Sequence, residues 1–215
     1  MAIAWDEDRV EDQELIEANV AGVLREIVRQ AALRHRPTVA MAQAWHRAIY
    51  KGVFLPVPYF AGEIRDSDER FPELFGYEVR VGPTPGVRSS QVPAELSRFE
   101  GAVQSAVAGL DTAIPAGAQP SNESQLRSLL TLCALAHGEW VRIHPFANGN
   151  GRTARLWANW CALRYGVRAF VRLKPRPDGI EYASAAALSM RGEHQPMVDV
   201  FKGMLMKMLT DRTRS

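Results

Sequence analysis

The stretch His144-Pro145-Phe146-Ala147-Asn148-Gly149-Asn150-Gly151-Arg152-Thr153-Ala154-Arg155 holds a base, a glycine-framed turn and two arginines. Residues of those types at that spacing suit a phosphate site with a catalyst beside it. Pro145 disfavours helical dihedrals at the residue before it, so His144 is expected on an extended segment. Gly149 and Gly151 tolerate positive φ, which lets the backbone N–H groups around Asn150 converge on an anion. The run Thr153 to Tyr165, closed by Gly166, predicts a helix whose free amides and dipole face the same anion. Arg152 and Arg155 share a face at its start and offer forked donors that match phosphate oxygens. A histidine with an ordinary pKa of about 6.5 is largely neutral near physiological pH, as a general base must be.

Helical periodicity dominates the rest of the chain. Ile16, Val20, Val23, Leu24, Ile27, Val28 and Ala31 recur at three- and four-residue intervals, predicting a first helix that ends before Pro37. Thr38 is placed to cap a second, with Met41, Trp45 and Ile49 on one face and Gly52 past its end. Between residues 59 and 92 the composition shifts to Gly, Pro and mixed charge. There Tyr77, Val79 and Val81 alternate ahead of Gly82-Pro83-Thr84-Pro85-Gly86, which suggests a hairpin returning over Val87-Arg88-Ser89, or an irregular loop. Pro93 opens a helix bearing Leu96, Phe99, Val103, Val107 and Leu110. Asn122 with Gln125 reads as a capping box for the helix that delivers the chain to His144. Asp178 with Glu181 reads as a capping pair for a helix over Glu181 to Met190, and a methionine-rich helix from Pro196 to Leu209 completes the core.

The chain's 215 residues suit a single domain, and 47% apolar with 23% charged residues is ordinary globular composition. A formal net charge of +2 with scattered basic residues gives no footprint for nucleic acid. The acidic segment from Met1 to Glu17 lacks a secretory pattern, and no apolar run approaches the roughly 20 residues of a membrane span. A cytoplasmic protein without membrane contact is expected, with Cys133 and Cys161 as buried thiols; secretion as an effector without a cleaved signal stays open.

The stretch at 144–155 resembles the signature of Fic-domain proteins: His-Pro-Phe, any residue, Asp or Glu, Gly-Asn-Gly-Arg, two residues and Arg. It departs from that signature only at Asn148. The resemblance implies a mainly α, Fic-fold helical bundle over residues 1–215, with a small β-hairpin flap in the 59–92 region and an N-terminal helix within 1–36. It implies transfer of AMP from ATP to a Ser, Thr or Tyr hydroxyl of a target protein docked at the flap, residues 77–90. His144 is then the general base and Phe146 the apolar anchor beneath it. Gly149, Asn150 and Gly151 cradle phosphates, Asn150 adding a side-chain donor, and Arg152 and Arg155 hold the leaving phosphates. Tyr182 either stacks on adenine or is a core tyrosine. The family's acid binds Mg²⁺; Asn148 can offer only a neutral oxygen. Three outcomes follow: a transferase with weaker metal demand, a transferase of another phosphate-containing group such as phosphoryl or phosphocholine, or a nucleotide-binding, partner-docking relative with little catalysis. Many relatives also carry an inhibitory glutamate that pairs with the motif's second arginine. Glu17 is the candidate, although Gln13 stands where Ser or Thr is expected. A separate inhibitor protein and self-association stay open.

Overall fold

The computed structural model describes residues 3–212; residues 1–2 and 213–215 of the expected domain lie outside the described residues. Among the described residues the chain forms seven α-helices and one short hairpin: α1 (Gln13–Ala32), α2 (Val39–Ile49), β1 (Arg80–Val81), β2 (Thr84–Pro85), α3 (Val92–Ala113), α4 (Glu123–Ile143), α5 (Asn150–Arg164), α6 (Ile180–Ser189) and α7 (Gln195–Arg212). The structure therefore bears out the mainly helical class and the flap hairpin. None of the described helices is long and apolar enough to cross a membrane.

Helix α4 is the axis of the bundle, packing on α3, α5, α6 and α7, while α1 lies across α5 and α2. The apolar stripes read from the sequence face inward as expected. On α1, Ile16, Val20, Val23, Ile27 and Ala31 are buried, and Val28, at the edge of the stripe, is exposed. Thr38 caps α2 by accepting the Met41 N–H at 3.3 Å. Asn122 accepts the Gln125 N–H at 2.9 Å, and Gln125 reaches back to the Ser121 N–H at 2.8 Å, one residue before the usual box partner. The methionine stripe on α7 is core packing, with Met197 and Phe201 wholly buried.

Two local readings are corrected. Asp178 does not cap α6: its carboxylate pairs with Arg172, and Gly179 is the N-cap without a side-chain bond. The hairpin returns over Thr84–Pro85 rather than Val87–Ser89, pairing Arg80 with Pro85 and Val81 with Thr84 around a turn led by Gly82 at φ 59°. Gly at that first turn position closes a tight two-residue loop, so the return begins three residues earlier than the alternation suggested. Ser89–Gln91 instead forms a 3₁₀ turn into α3.

Aromatic rings form the core beneath the motif. Trp157 on α5 makes edge contacts with Trp45 at 5.0 Å and Phe99 at 5.4 Å, and lies 5.8 Å from Trp140 and 5.9 Å from Trp160. One ring thus joins α2, α3, α4 and α5. Trp157→Ala is expected to destabilise the protein by about 3–5 kcal/mol in chemical denaturation, as large-to-small changes in a packed core do; a loss under about 1 kcal/mol would show that these helices do not depend on it.

Candidate active site

Helix α4 ends at His144, which takes the left-handed conformation at φ 52°, ψ 57° and donates its N–H to Trp140 O at 2.9 Å. The expected extended segment is therefore corrected. Pro145 excludes the right-handed helical region, and the chain meets that restriction with a left-handed helix cap. The turn sets the ring. His144 Nδ1 lies 2.9 Å from Val141 O, and because a carbonyl only accepts, Nδ1 carries the proton and Nε2 is left as the base. Burial first, and then Arg65, lower the His144 pKa to about 4, against the backbone hydrogen bond, so the imidazole is neutral across the physiological range.

Arg65 holds this corner together. Wholly buried, it donates to His144 O at 2.8 Å, Ile143 O at 3.0 Å, Tyr77 O at 2.7 Å and Val87 O at 3.0 Å, joining the end of α4 to both flanks of the hairpin. Gly86 lets the flap lie close: a Cβ there would stand 2.9 Å from Val79 and 3.2 Å from the His144 Cβ.

The loop after His144 is pinned from inside. Phe146 is buried and stacks on His46 with ring centres 3.9 Å apart. His46 accepts the Gly62 N–H at Nδ1 and donates from Nε2 to Asn148 O at 3.0 Å. Asn150 accepts the Phe146 N–H and donates to Phe146 O, both at 2.9 Å. These bonds brace the loop with Oδ1 and one Nδ2 hydrogen of the side chain expected to reach a phosphate. Gly149 sits at φ 75°, where a Cβ would lie 2.5 Å from the Tyr50 hydroxyl. Gly151 was expected to share that conformation but is helical, because α5 begins three residues earlier than predicted, at Asn150. Gly149 caps α5 without a side chain, so no cap side chain takes up its first-turn amides, and Asn150, Gly151 and Arg152 of that turn line the cleft.

That cleft has a volume of about 500 Å³ and gathers His144, Asn150, Arg152, Arg155, Val81 of the flap and Tyr182 of α6. Arg152 is paired on one side with Glu7 at 2.8 Å and Asp8 at 3.1 Å, and also contacts the Tyr50 hydroxyl, which itself donates to Glu7. Arg155 donates to Leu173 O at 3.0 Å. Tyr182 is buried with its hydroxyl 2.8 Å from His137 Nε2, and the Arg176 guanidinium stands over its ring. Asn148 lines the cleft with both polar atoms engaged: Nδ2 donates to Trp5 O at 2.8 Å and Oδ1 accepts the Gly149 N–H at 2.9 Å.

Glu17 is corrected. It is exposed on α1 and has no ion pair to Arg155 among the described residues; the acids at the motif are Glu7 and Asp8, on the first arginine rather than the second. His46, Arg65, Tyr50, Glu7 and Asp8 were not singled out from the sequence. Only the acidic character of residues 6–8 gave a signal, and it was read as the absence of a leader.

A family model described as the Fic/DOC family matches residues 37–162, more than half of the chain. Similar curated relatives are a protein adenylyltransferase Fic of Nematostella vectensis, 39% identical over 67 residues, and one of Drosophila mojavensis, 37% identical over 79 residues. These alignments cover 31% and 36% of this chain, and the chain spans only 16% and 15% of those relatives' lengths. Fic-1 of C. elegans superposes with a TM-score of 0.64 at 22% identity, covering 99% of this chain and 56% of the other. A BepC protein with bound AMPPNP from Bartonella tribocorum superposes with a TM-score of 0.61 at 18% identity, covering 93% and 88%. At these identities the likeness to both structures is one of fold.

Burial, the first cause in each case, lowers the pKa of His46 and of His137 to about 3, and that of His144 to about 4. Between these values and the ordinary 6.5 the unfolded chain binds protons that the native chain does not, so stability present above pH 6.5 drains away as pH falls toward 3. The urea midpoint of the wild type is expected to drop through that window, and His46→Asn to show a shallower slope whatever its overall stability. An unchanged slope would remove His46 from the account.

Proposed function

The chain belongs to the Fic/DOC family, and from that premise we propose that it is a protein adenylyltransferase, moving AMP from ATP to a Ser, Thr or Tyr hydroxyl of another protein. One observation carries the reading: the free Nε2 of His144 opens into the same cleft as the first turn of α5 and the two motif arginines. The names of the curated relatives, and the nucleotides bound in the BepC structure (AMPPNP) and in a Bartonella quintana Fic domain (ADP), point the same way.

In this reading the target segment lies along the flap at 77–90 and directs its hydroxyl at His144. Nε2 takes the hydroxyl proton as the oxygen bonds to the α-phosphorus. The bond from that phosphorus to the bridging oxygen breaks, and pyrophosphate departs. The first-turn amides of α5 face the α-phosphate, where charge develops, and preorganised donors of that kind stabilise it without reorganisation. Arg152 and Arg155 receive the β- and γ-phosphates. Tyr182, its ring already covered by Arg176, borders the nucleotide as a wall rather than as an open stacking face. A divalent cation does not fit the position the family gives it, because Asn148 is neutral and both its polar atoms are engaged, so no step is routed through one.

A second reading, a nucleotide-binding protein with little catalysis, draws on Glu7 and Asp8. Their carboxylates stand on Arg152, where phosphate oxygens belong, and must leave for a nucleotide to take their place.

Incorporation of α-labelled ATP into protein in lysate separates the two readings, with His144→Ala as control. Label that disappears in His144→Ala supports transfer; none in the wild type, with ATP still bound, supports the second reading. The pH profile tests the base. At sub-saturating ATP, which reports the free protein, activity is expected to fall as His144 protonates near pH 4. At saturating ATP the limb is expected at higher pH, since phosphates beside an imidazole favour its charged form. Glu7→Gln combined with Asp8→Asn is expected to tighten ATP binding by roughly fivefold, the scale of partly exposed ion pairs released from competition. Unchanged affinity would mean that these acids do not occupy the nucleotide's place.

A further inference from the structure

The cleft beside His144 is lined by four cations, Arg152, Arg155, Lys174 and Arg176, against two acids, Glu7 and Asp8. Both acids face Arg152, which leaves the far wall without a carboxylate partner. On that wall Arg155 donates to Leu173 O at 3.0 Å, and Lys174 follows directly in the chain. The Lys174 Nζ is buried and has no hydrogen-bond partner among the described residues, and the Nε atoms of Arg152 and Arg155 share that condition. A buried ammonium without an acceptor is unfavourable, so such an atom points to a partner that the protein itself does not supply. His137 senses the same field. After burial, Arg155 and then Arg176 are the causes that hold its pKa at about 3. The group that satisfies this wall is an anion with several oxygens.

The second observation is Asn148. A magnesium site usually takes one or two carboxylates together with phosphates and waters. Here the family's acid is replaced by a neutral amide engaged at both ends. A neutral amide at position 148 does not fit a divalent cation, while Lys174, whose Nζ has no partner among the described residues, lines the same cleft.

We propose that Lys174 is a further binding residue for the polyphosphate end of the nucleotide, holding the departing pyrophosphate with Arg155. The proposal rests on the nucleotidyl-transfer reading above. As the bond between the α-phosphorus and the bridging oxygen breaks, negative charge gathers on the pyrophosphate, and a fixed ammonium beside it stabilises that charge. The hydroxyl proton goes to His144.

The test is calorimetric binding of inorganic pyrophosphate, ATP and AMP to the full chain, in EDTA and in Mg²⁺, for wild type, Lys174→Gln and Lys174→Arg, with a melting curve for each. In EDTA, Lys174→Gln is expected to weaken pyrophosphate and ATP about tenfold or more, the worth of one charge-assisted hydrogen bond, and to leave AMP little changed. Lys174→Arg should recover most of that loss, the melting temperatures should agree, and Mg²⁺ should alter wild-type affinity little. Equal pyrophosphate affinity in wild type and Lys174→Gln overturns the proposal. So does pyrophosphate binding that appears only with Mg²⁺, or none at all. If pyrophosphate binds in a Lys174-dependent way while ATP and AMP do not bind, the nucleotide reading falls and the anion site stands.

Discussion

A single buried guanidinium, that of Arg65, fixes the geometry on which everything at the cleft depends. The last carbonyls of a helix have no partners within it, and Arg65 takes two of them, at Ile143 and His144, together with Tyr77 O and Val87 O on the two sides of the hairpin. Its own N–H completes the corner by donating to Pro145 O at 2.9 Å. The nearest carboxylate, Glu78, is 4.0 Å away, so backbone carbonyls do most of what a counter-ion does elsewhere. Burial lowers the Arg65 pKa to about 10, which still leaves the group charged at neutral pH. Removing it would orphan four carbonyls at once, which is why the position of the base and the position of the flap are one structural variable rather than two.

The same logic of buried polar groups runs through the motif loop. Asn150 closes a ring with Phe146, and His46 ties Asn148 O to Gly62 N. These polar side chains are thereby committed to the loop, whose path fixes the start of α5 and its arginines. Gly149 admits no larger residue, since the Tyr50 hydroxyl and the His46 ring already fill the space behind it.

How much of this was legible in the sequence follows from the range of each interaction. The stripes of α1 to α4 and the Thr38 and Asn122 caps rest on contacts within a few residues, and they were readable. His144 with Arg152 and Arg155 was readable for the same reason, since twelve residues hold the whole constellation. The left-handed turn at His144 was missed because a residue before proline has more than one way to avoid the right-handed region, and only Arg65, far earlier in the chain, selects between them. His46 sits on α2 within what read as an ordinary amphipathic pattern, and its partner Asn148 lies 102 residues away. Glu17 fitted a pattern and Glu7 did not, yet the path of the chain before α1 brings Glu7 to Arg152. Spacing along a sequence carries no information about that path.

The N-terminal segment is the element through which these levels meet. Four cations lining one cleft repel one another, and without an anionic ligand the two nearest acids must offset them. Glu7 and Asp8 reach Arg152 only because Trp5 is anchored, its ring 4.7 Å from that of Tyr50 and its carbonyl accepting from Asn148. Asn148 is thus tied to the strap that neutralises the site. An acid at position 148 would have no N–H to donate to Trp5 O, and its charge would set it against that carbonyl and against Glu7. The neutral amide and the acidic N-terminal segment are therefore complementary halves of one electrostatic arrangement, in which residue 148 is neutral and residues 7 and 8 carry the negative charge beside Arg152.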